Sequence, residues 1–130
     1  MSGTTGAFGN LAAQLTDIDA GVAWWRRLGA EVSDPLRTPD GSLRADVDLG
    51  GIRLTLFTRA IYAGELGPID DGWLHAAWFV DDLDDALEGH HLLWGPHEVS
   101  GPFGTRRIAF VEAPGGIRLE FMEQVEPPAS

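Results

Sequence analysis

A repeated stretch of sequence constrains the fold of this chain more than any other feature. The run GGIRL occurs at residues 50–54 and again at residues 115–119, an offset of 65 positions (115 minus 50). The same offset aligns Asn10 with His75, near the other end of each copy, without a gap. Five identical residues in a row at one offset indicate two copies of one structural unit.

The first copy, about residues 8–58, is predicted to contain a strand, a helix and three strands. A strand over 8–15 leads into a helix that Thr16-Asp17 caps and Gly29 ends. Its apolar stripe is predicted to comprise Ile18, Val22, Trp25 and Leu28. The three strands are predicted at 31–32, 43–49 and 52–58, with a loop over 35–41 between the first two.

A linker over residues 59–72 is predicted to lead into the second copy, about 73–124, within a single domain spanning 1–130. A strand over 73–80 precedes a short helix, capped by Asp81-Asp82 and ended by Gly89. Further strands are predicted at 98–99, at 105–111 and from 117 onward. His90, His91 and His97 fall in a predicted connecting loop, where surface histidines are commoner than a metal cluster. The fold class is predicted to be α+β.

The composition narrows the classes of partner. The formal net charge is −11, which opposes binding to nucleic acid or to an anionic membrane and favours a cationic ligand. The chain has no cysteine, which excludes disulfides, thiolate metal sites and a cysteine nucleophile. The sequence contains neither a signal-peptide pattern nor an apolar run of membrane-spanning length. We therefore expect a cytoplasmic protein.

Three stretches carry a resemblance to a known superfamily: AGVAWWRRLG at 20–29, HAAWFVDDLDDAL at 75–87 and EAPGGIRLEFME at 112–123. Together with the repeat, they make the chain resemble the glyoxalase / bleomycin-resistance / extradiol-dioxygenase superfamily, whose fold is called the vicinal oxygen chelate fold. The resemblance implies two tandem βαβββ units whose sheets form a shared cleft. This fold hosts metal enzymes and metal-free binding proteins alike, so it does not by itself decide the function.

The resemblance also implies where metal ligands would lie, on the first and last strands of each unit. Those positions are occupied here by Asn10, Thr55, His75 and Glu120. An amide and a hydroxyl are poor ligands, so only His75 and Glu120 remain as strong donors, one fewer than the usual three. We therefore expect no metal and no other cofactor, with these two residues as the ligands if a metal binds.

Strand parity adds further side chains to the expected cleft, because alternate residues of a strand point to the same face. Trp73 shares its parity with His75, whereas Trp78 is expected on the helix side and Trp24 lies where a partner subunit could reach it. The expected ligand-binding residues are Asn10, Gln14, Arg53, Thr55, Trp73, His75, Arg118, Glu120 and Met122.

Two functions from different classes follow. The first is a metal-free binding protein that sequesters an aromatic natural product or drug, as resistance proteins of the superfamily do. The alternative is an enzyme of the superfamily (a lyase, isomerase, cyclase or dioxygenase) in which His75 and Glu120 are catalytic, with or without a divalent metal. In either case a homodimer is expected, formed by side-by-side packing or by exchange of units.

Overall fold

The computed structural model describes residues 6–128, which divide into two compact units. Residues 10–74 form the amino-terminal unit, and residues 6–9 together with 75–128 form the carboxy-terminal unit. Residues 59–72, predicted as a linker, thus belong to the amino-terminal unit.

The amino-terminal unit contains one helix and five strand segments. In chain order these are β1 (Gly6–Gln14, whose first four residues belong to the other unit), α1 (Ile18–Leu28), β2 (Glu31–Val32), β3 (Leu36–Arg37), β4 (Leu43–Asp48) and β5 (Arg53–Phe57). Strand β5 pairs in parallel with β1 and antiparallel with β4. Strands β2 and β3 both pair antiparallel with β4. Strand β3 lies inside the segment predicted as a loop.

Helix α1 begins and ends where its capping residues predict. The Asp17 carboxylate accepts a hydrogen bond from the Ala20 backbone N–H at 3.1 Å, and Gly29 takes the left-handed conformation that ends the helix. The helix covers a core that contains Ile18, Val22, Val47, Leu54 and Leu56. The prediction that Leu28 belongs to the buried stripe is wrong, because its side chain is 66% exposed. At about 100° per residue, Leu28 lies roughly 80° from Ile18 around the axis.

The carboxy-terminal unit contains one short helix and long strands. Its elements are β6 (Gly72–Val80, whose first three residues belong to the other unit), α2 (Leu83–Leu87), β7 (His91–Gly101), β8 (Gly104–Ala113) and β9 (Ile117–Glu126). Strand β9 pairs in parallel with β6 and antiparallel with β8, and β8 pairs antiparallel with β7. Helix α2 is capped by Asp82 and packs over a core of Val80, Leu83, Ala86, Ala109, Val111 and Phe121.

Strand β7 is much longer than the two residues predicted, and His91 and His97 lie within it rather than in a loop. Its pairing with β8 shifts register on both sides of Trp94. Gly95 has φ +88°, and a Cβ there would lie 2.7 Å from the carbonyl oxygen of Ile108. These bulges interrupt the alternation of apolar and polar residues by which a strand is recognised in a sequence.

The repeat seen in the sequence also appears in the pairing of the parallel strands of the two units. Ala12 pairs with Thr55 in the first unit, and Ala77 pairs with Glu120 in the second, so each partner is displaced by the same 65 positions. The antiparallel neighbours differ by one residue, since Asp46 lies opposite Thr55 whereas Phe110 lies opposite Glu120. The predicted α+β fold built from two βαβββ units is confirmed.

Candidate functional site

The carboxy-terminal unit holds a nearly buried pair of ionisable side chains. His75 on β6 and Glu120 on β9 approach to 3.3 Å between Nε2 and Oε1, and their side chains are 5% and 13% exposed. The ring of Phe110, fully buried on β8, meets the imidazole edge to face at a centroid distance of 4.7 Å. An imidazole held against a carboxylate is an arrangement that can accept and return a proton.

The equivalent positions of the amino-terminal unit carry a neutral polar pair. The Asn10 amide donates to the Thr55 hydroxyl at 2.9 Å, and that hydroxyl donates to the carboxylate of Asp46 at 2.8 Å. Asp46 also forms an ion pair with Arg44 at 3.0 Å. Thr55 is completely buried, so this relay satisfies a hydroxyl that would otherwise be costly to bury.

Asp46 was missed by the sequence reasoning, although it belongs to a predicted strand. The available signal was its parity, because a residue on β4 that faces Thr55 must share the Thr55 face of the sheet. That inference requires the register of the hairpin between β4 and β5. The 65-residue repeat does not supply that register, because the antiparallel pairings of the two units differ by one residue.

The side chains at the four expected ligand positions do not fit a catalytic metal. Within residues 6–128, no three side chains of the His, Asp and Glu types converge as a metal site would require. In the amino-terminal unit, Asn10 and Thr55 donate hydrogen bonds within the relay, and both are neutral. His75 and Glu120 remain, and two strong ligands are fewer than the three protein ligands usual in catalytic zinc sites.

The two predicted arginines lie opposite acidic residues in their hairpins. Arg53 is exposed and faces Asp48, and Arg118 is half-buried and faces Glu112. Arg53 also lines an open cavity of about 490 Å³, whose lining includes Glu31, Asp46 and Asp48. Each guanidinium therefore has a carboxylate-bearing residue on the neighbouring strand, which lowers the local excess of positive charge.

Gln14 and Met122, both predicted to bind ligand, are buried and in contact with the protein itself. The Gln14 amide accepts from the Ala60 backbone N–H at 3.0 Å and donates to the Ile69 carbonyl at 2.8 Å. It also donates to Asp71 at 3.2 Å, so Gln14 ties both ends of the 60–71 segment to β1. Met122 is 4% exposed and pairs with Ile108 in the ladder between β8 and β9.

Trp73 is the most exposed large apolar side chain of the described chain, at 70%. With Trp25 it lines an apolar cavity of about 220 Å³ in the amino-terminal unit. The remaining lining residues are Ala13, Gln14, Leu15, Leu54, Leu56 and Gly72. The cavity is open to solvent and combines two indole rings with aliphatic side chains and Gln14, a lining on which a flat apolar ligand can stack.

A scan of the sequence against protein-family models gives no match, and a search among curated proteins gives none either. Solved structures do match. The methylmalonyl-CoA epimerase of Mycobacterium tuberculosis shares 23% identity with a TM-score of 0.66, over 94% of this chain and 89% of the other. That of Streptomyces coelicolor, in complex with 2-nitronate-propionyl-CoA, shares 22% with a TM-score of 0.64, over 95% and 98%.

A third structure, from Vibrio splendidus 12B01, is described as a glyoxalase/bleomycin resistance protein/dioxygenase superfamily member. It shares 19% identity with a TM-score of 0.60, over 92% of this chain and all of the other. Among the described residues, no helix is both long enough and apolar enough to cross a membrane. The likeness to these three solved structures shows that the chain has the vicinal oxygen chelate fold, as its resemblance to the superfamily predicted.

Proposed function

We propose that this chain is a metal-free binding protein that sequesters a small aromatic molecule, as a resistance protein does, in the cavity between Trp25 and Trp73. The observation that carries the proposal is the placement of Trp73, whose ring is 70% exposed yet lines an apolar cavity. A large indole held in solvent beside aliphatic walls gains contact area when a planar ligand stacks on it.

The charge of the chain supports an aromatic cation as the ligand. The formal net charge is −11, so the protein surface attracts cations over distances comparable with the Debye length. Since the cavity wall is mostly apolar, the ring system of the ligand would contact the wall, and the negative charge of the protein would attract the positive charge of the ligand. Metal independence is supported by the donor set, because only His75 and Glu120 are strong ligands at the four ligand positions.

A calorimetric titration with proflavine, a planar aromatic cation, tests this proposal. The protein is first treated with a chelator, so that any binding is independent of metal. We expect saturable binding of one molecule per chain, and the absence of binding up to millimolar proflavine would contradict the proposal. The titration is repeated at high salt, which weakens non-specific attraction to an acidic surface more than stacking.

One observation favours a second candidate, an enzyme that transfers a proton without a metal. The buried His75–Glu120 pair has the geometry of a base with its orienting carboxylate. Two of the three solved structures described above are methylmalonyl-CoA epimerases. In this alternative, His75 would take the proton from the carbon next to a thioester carbonyl, while Glu120 would orient the imidazole and stabilise its charged form.

Proton exchange measured by NMR tests the second candidate. In D₂O, an enzyme that removes the α-hydrogen of methylmalonyl-CoA replaces it with deuterium, and its proton signal disappears. Exchange that requires both His75 and Glu120 would establish the enzyme for this substrate class. Exchange no faster than in the buffer, or unchanged in His75→Ala, would rule out methylmalonyl-CoA as a substrate of this pair. In both functions we propose that the chain works in the cytoplasm as a homodimer.

A further inference from the structure

The outward face of α1 is apolar at its centre and carries opposite charges at its two ends. Trp24 and Leu28 are 52% and 66% exposed, and Ala20 precedes Trp24 by four residues on the same ridge. The neighbouring ridge runs through Asp19, Ala23 and Arg27, all exposed. The opposite side of this helix already packs on the core, so Trp24 and Leu28 are large apolar side chains left in solvent on the outward side.

We propose that α1 packs antiparallel against α1 of a second copy of this chain, about a two-fold axis that passes close to Ala23. The proposal rests on the homodimer proposed above and assigns its interface to one helix. A two-fold interface places the same patch on both copies, so residues equally far from the axis in opposite directions meet.

Charge complementarity selects a second copy as the occupant of this face. Asp19 stands four residues before Ala23 and Arg27 four residues after it, so the antiparallel arrangement brings Asp19 of each copy to Arg27 of the other. Within residues 6–128, neither Asp19 nor Arg27 belongs to a salt bridge. Both charges are thus available for pairing across the interface. Helix α2 lacks this property, because its first turn is acidic and its last turn has no basic residue.

The side chains at the centre fit together by size. Ala20 and Ala23 are small and allow the two helix backbones to approach, which leaves room for the Trp24 indole of the opposite copy. Trp24 is already held in place, because its ring meets that of Trp25 edge to face at a centroid distance of 5.1 Å. A side chain that is ordered before association loses less entropy when the interface forms.

Sedimentation velocity over a range of protein concentrations tests the assignment, without any ligand. We expect a reversible dimer of the 14.0 kDa chain. Trp24→Glu is expected to raise its dissociation constant about tenfold or more. Asp19→Arg and Arg27→Asp, each alone, place like charges opposite each other and are expected to weaken the dimer. The double variant restores the pair with its signs exchanged, so its dissociation constant should return to within about threefold of the wild type.

Asp85→Arg on α2 is the matched control, because this exposed carboxylate, like Asp19, belongs to no salt bridge within residues 6–128, and it should leave the dissociation constant unchanged. Circular dichroism establishes that each variant is folded. A chain that stays monomeric at all concentrations would overturn the proposal, and so would a dimer that Trp24→Glu and the charge reversals leave intact. The proposed ligand site is judged separately by proflavine binding to Asp19→Arg, because Asp19 does not line the cavity, so the two proposals fail independently.

Discussion

Nε2 of His75 lies 3.3 Å from Oε1 of Glu120, and the two residues are separated by the same 45 positions as Asn10 and Thr55, whose side chains are hydrogen-bonded at 2.9 Å. The two units therefore present the same backbone positions with different chemistry. One pair is neutral and tied into a relay that ends at Asp46. The other is ionisable and nearly buried.

A substitution in the His75–Glu120 pair distinguishes the two candidate functions. Glu120→Gln removes the charge that orients the imidazole while keeping the shape of the side chain. If the chain is an enzyme of this pair, proton exchange falls by about 10²-fold or more, because general base catalysis contributes that order of rate. Proflavine affinity should change less than about threefold, because the proposed cavity contains neither residue. A larger loss of affinity would contradict the assignment of that cavity.

Thr55 is expected to contribute to folding rather than to binding. Thr55→Val keeps the size of the side chain but leaves the Asn10 amide and the Asp46 carboxylate without their shared hydroxyl. We expect the free energy of unfolding to fall by about 1–3 kcal/mol in urea denaturation. Thr105→Val, at a half-exposed position of β8, is the control and should change it by less than about 0.5 kcal/mol. Equal losses in both variants would show that the relay has no special role.

Asp71 is predicted to stabilise the chain near neutral pH and to lose that effect in acid. The pKa of its carboxyl is lowered because the Thr16 backbone N–H, the Gln14 amide and the Thr16 hydroxyl all donate to it. Since the folded pKa is below the unfolded value of about 3.9, the contribution is present above that pH and is lost as pH falls through the folded pKa.

The measurement is thermal unfolding of the wild type and of Asp71→Asn from pH 7 to pH 2.5. The wild type should melt at a higher temperature than the variant at pH 6, and the difference should shrink as pH falls below about 4. A difference in melting temperature that stays constant across this range would show that ionisation of Asp71 is not the cause.

Metal binding is predicted to be weak. Calorimetric titration of the chelator-treated protein with Mn(II) and Zn(II) should show no stoichiometric binding at micromolar metal, since two strong ligands are one short of the usual number. His75→Ala is the control for any heat that appears. Binding of one ion per chain that this substitution removes would contradict the account and restore a metalloenzyme reading.

The fold could be predicted from the sequence because the repeat constrains both the order of the strands and their parallel register. Five identical residues at one offset fixed which strands correspond, and the parallel register of Ala12 with Thr55 and of Ala77 with Glu120 obeys the same offset. The caps of α1 were readable because Asp17 and Gly29 act through local backbone geometry alone. The helix caps depend on residues near one another in the chain, and the repeat is a run of identical residues that can be found by comparing the sequence with itself.

The features that could not be predicted from the sequence depend on strand pairing or on contacts between residues far apart in the chain. The carboxylate of Asp46 reaches Thr55 only because of the register of the β4–β5 hairpin, and the equivalent hairpin of the second unit is shifted by one residue. Strand β7 was predicted only at residues 98–99, because its bulges around Gly95 break the alternation over the rest of the strand. Gln14 lines the cavity beside Trp73, but its parity alone did not predict the hydrogen bonds of its amide to the 60–71 segment, distant in sequence.

The most direct test of the central claim is proflavine affinity, followed by tryptophan fluorescence, in Trp73→Ala beside the matched variant Trp78→Ala. Trp78 is also partly exposed, but it lies outside the proposed cavity. Loss of a stacking indole should cost about 2 kcal/mol, which is about a thirtyfold rise in the dissociation constant for Trp73→Ala. Trp78→Ala should change it by less than about threefold. Equal effects of the two substitutions, or an unchanged affinity in Trp73→Ala, would contradict the assignment of the cavity as the ligand site.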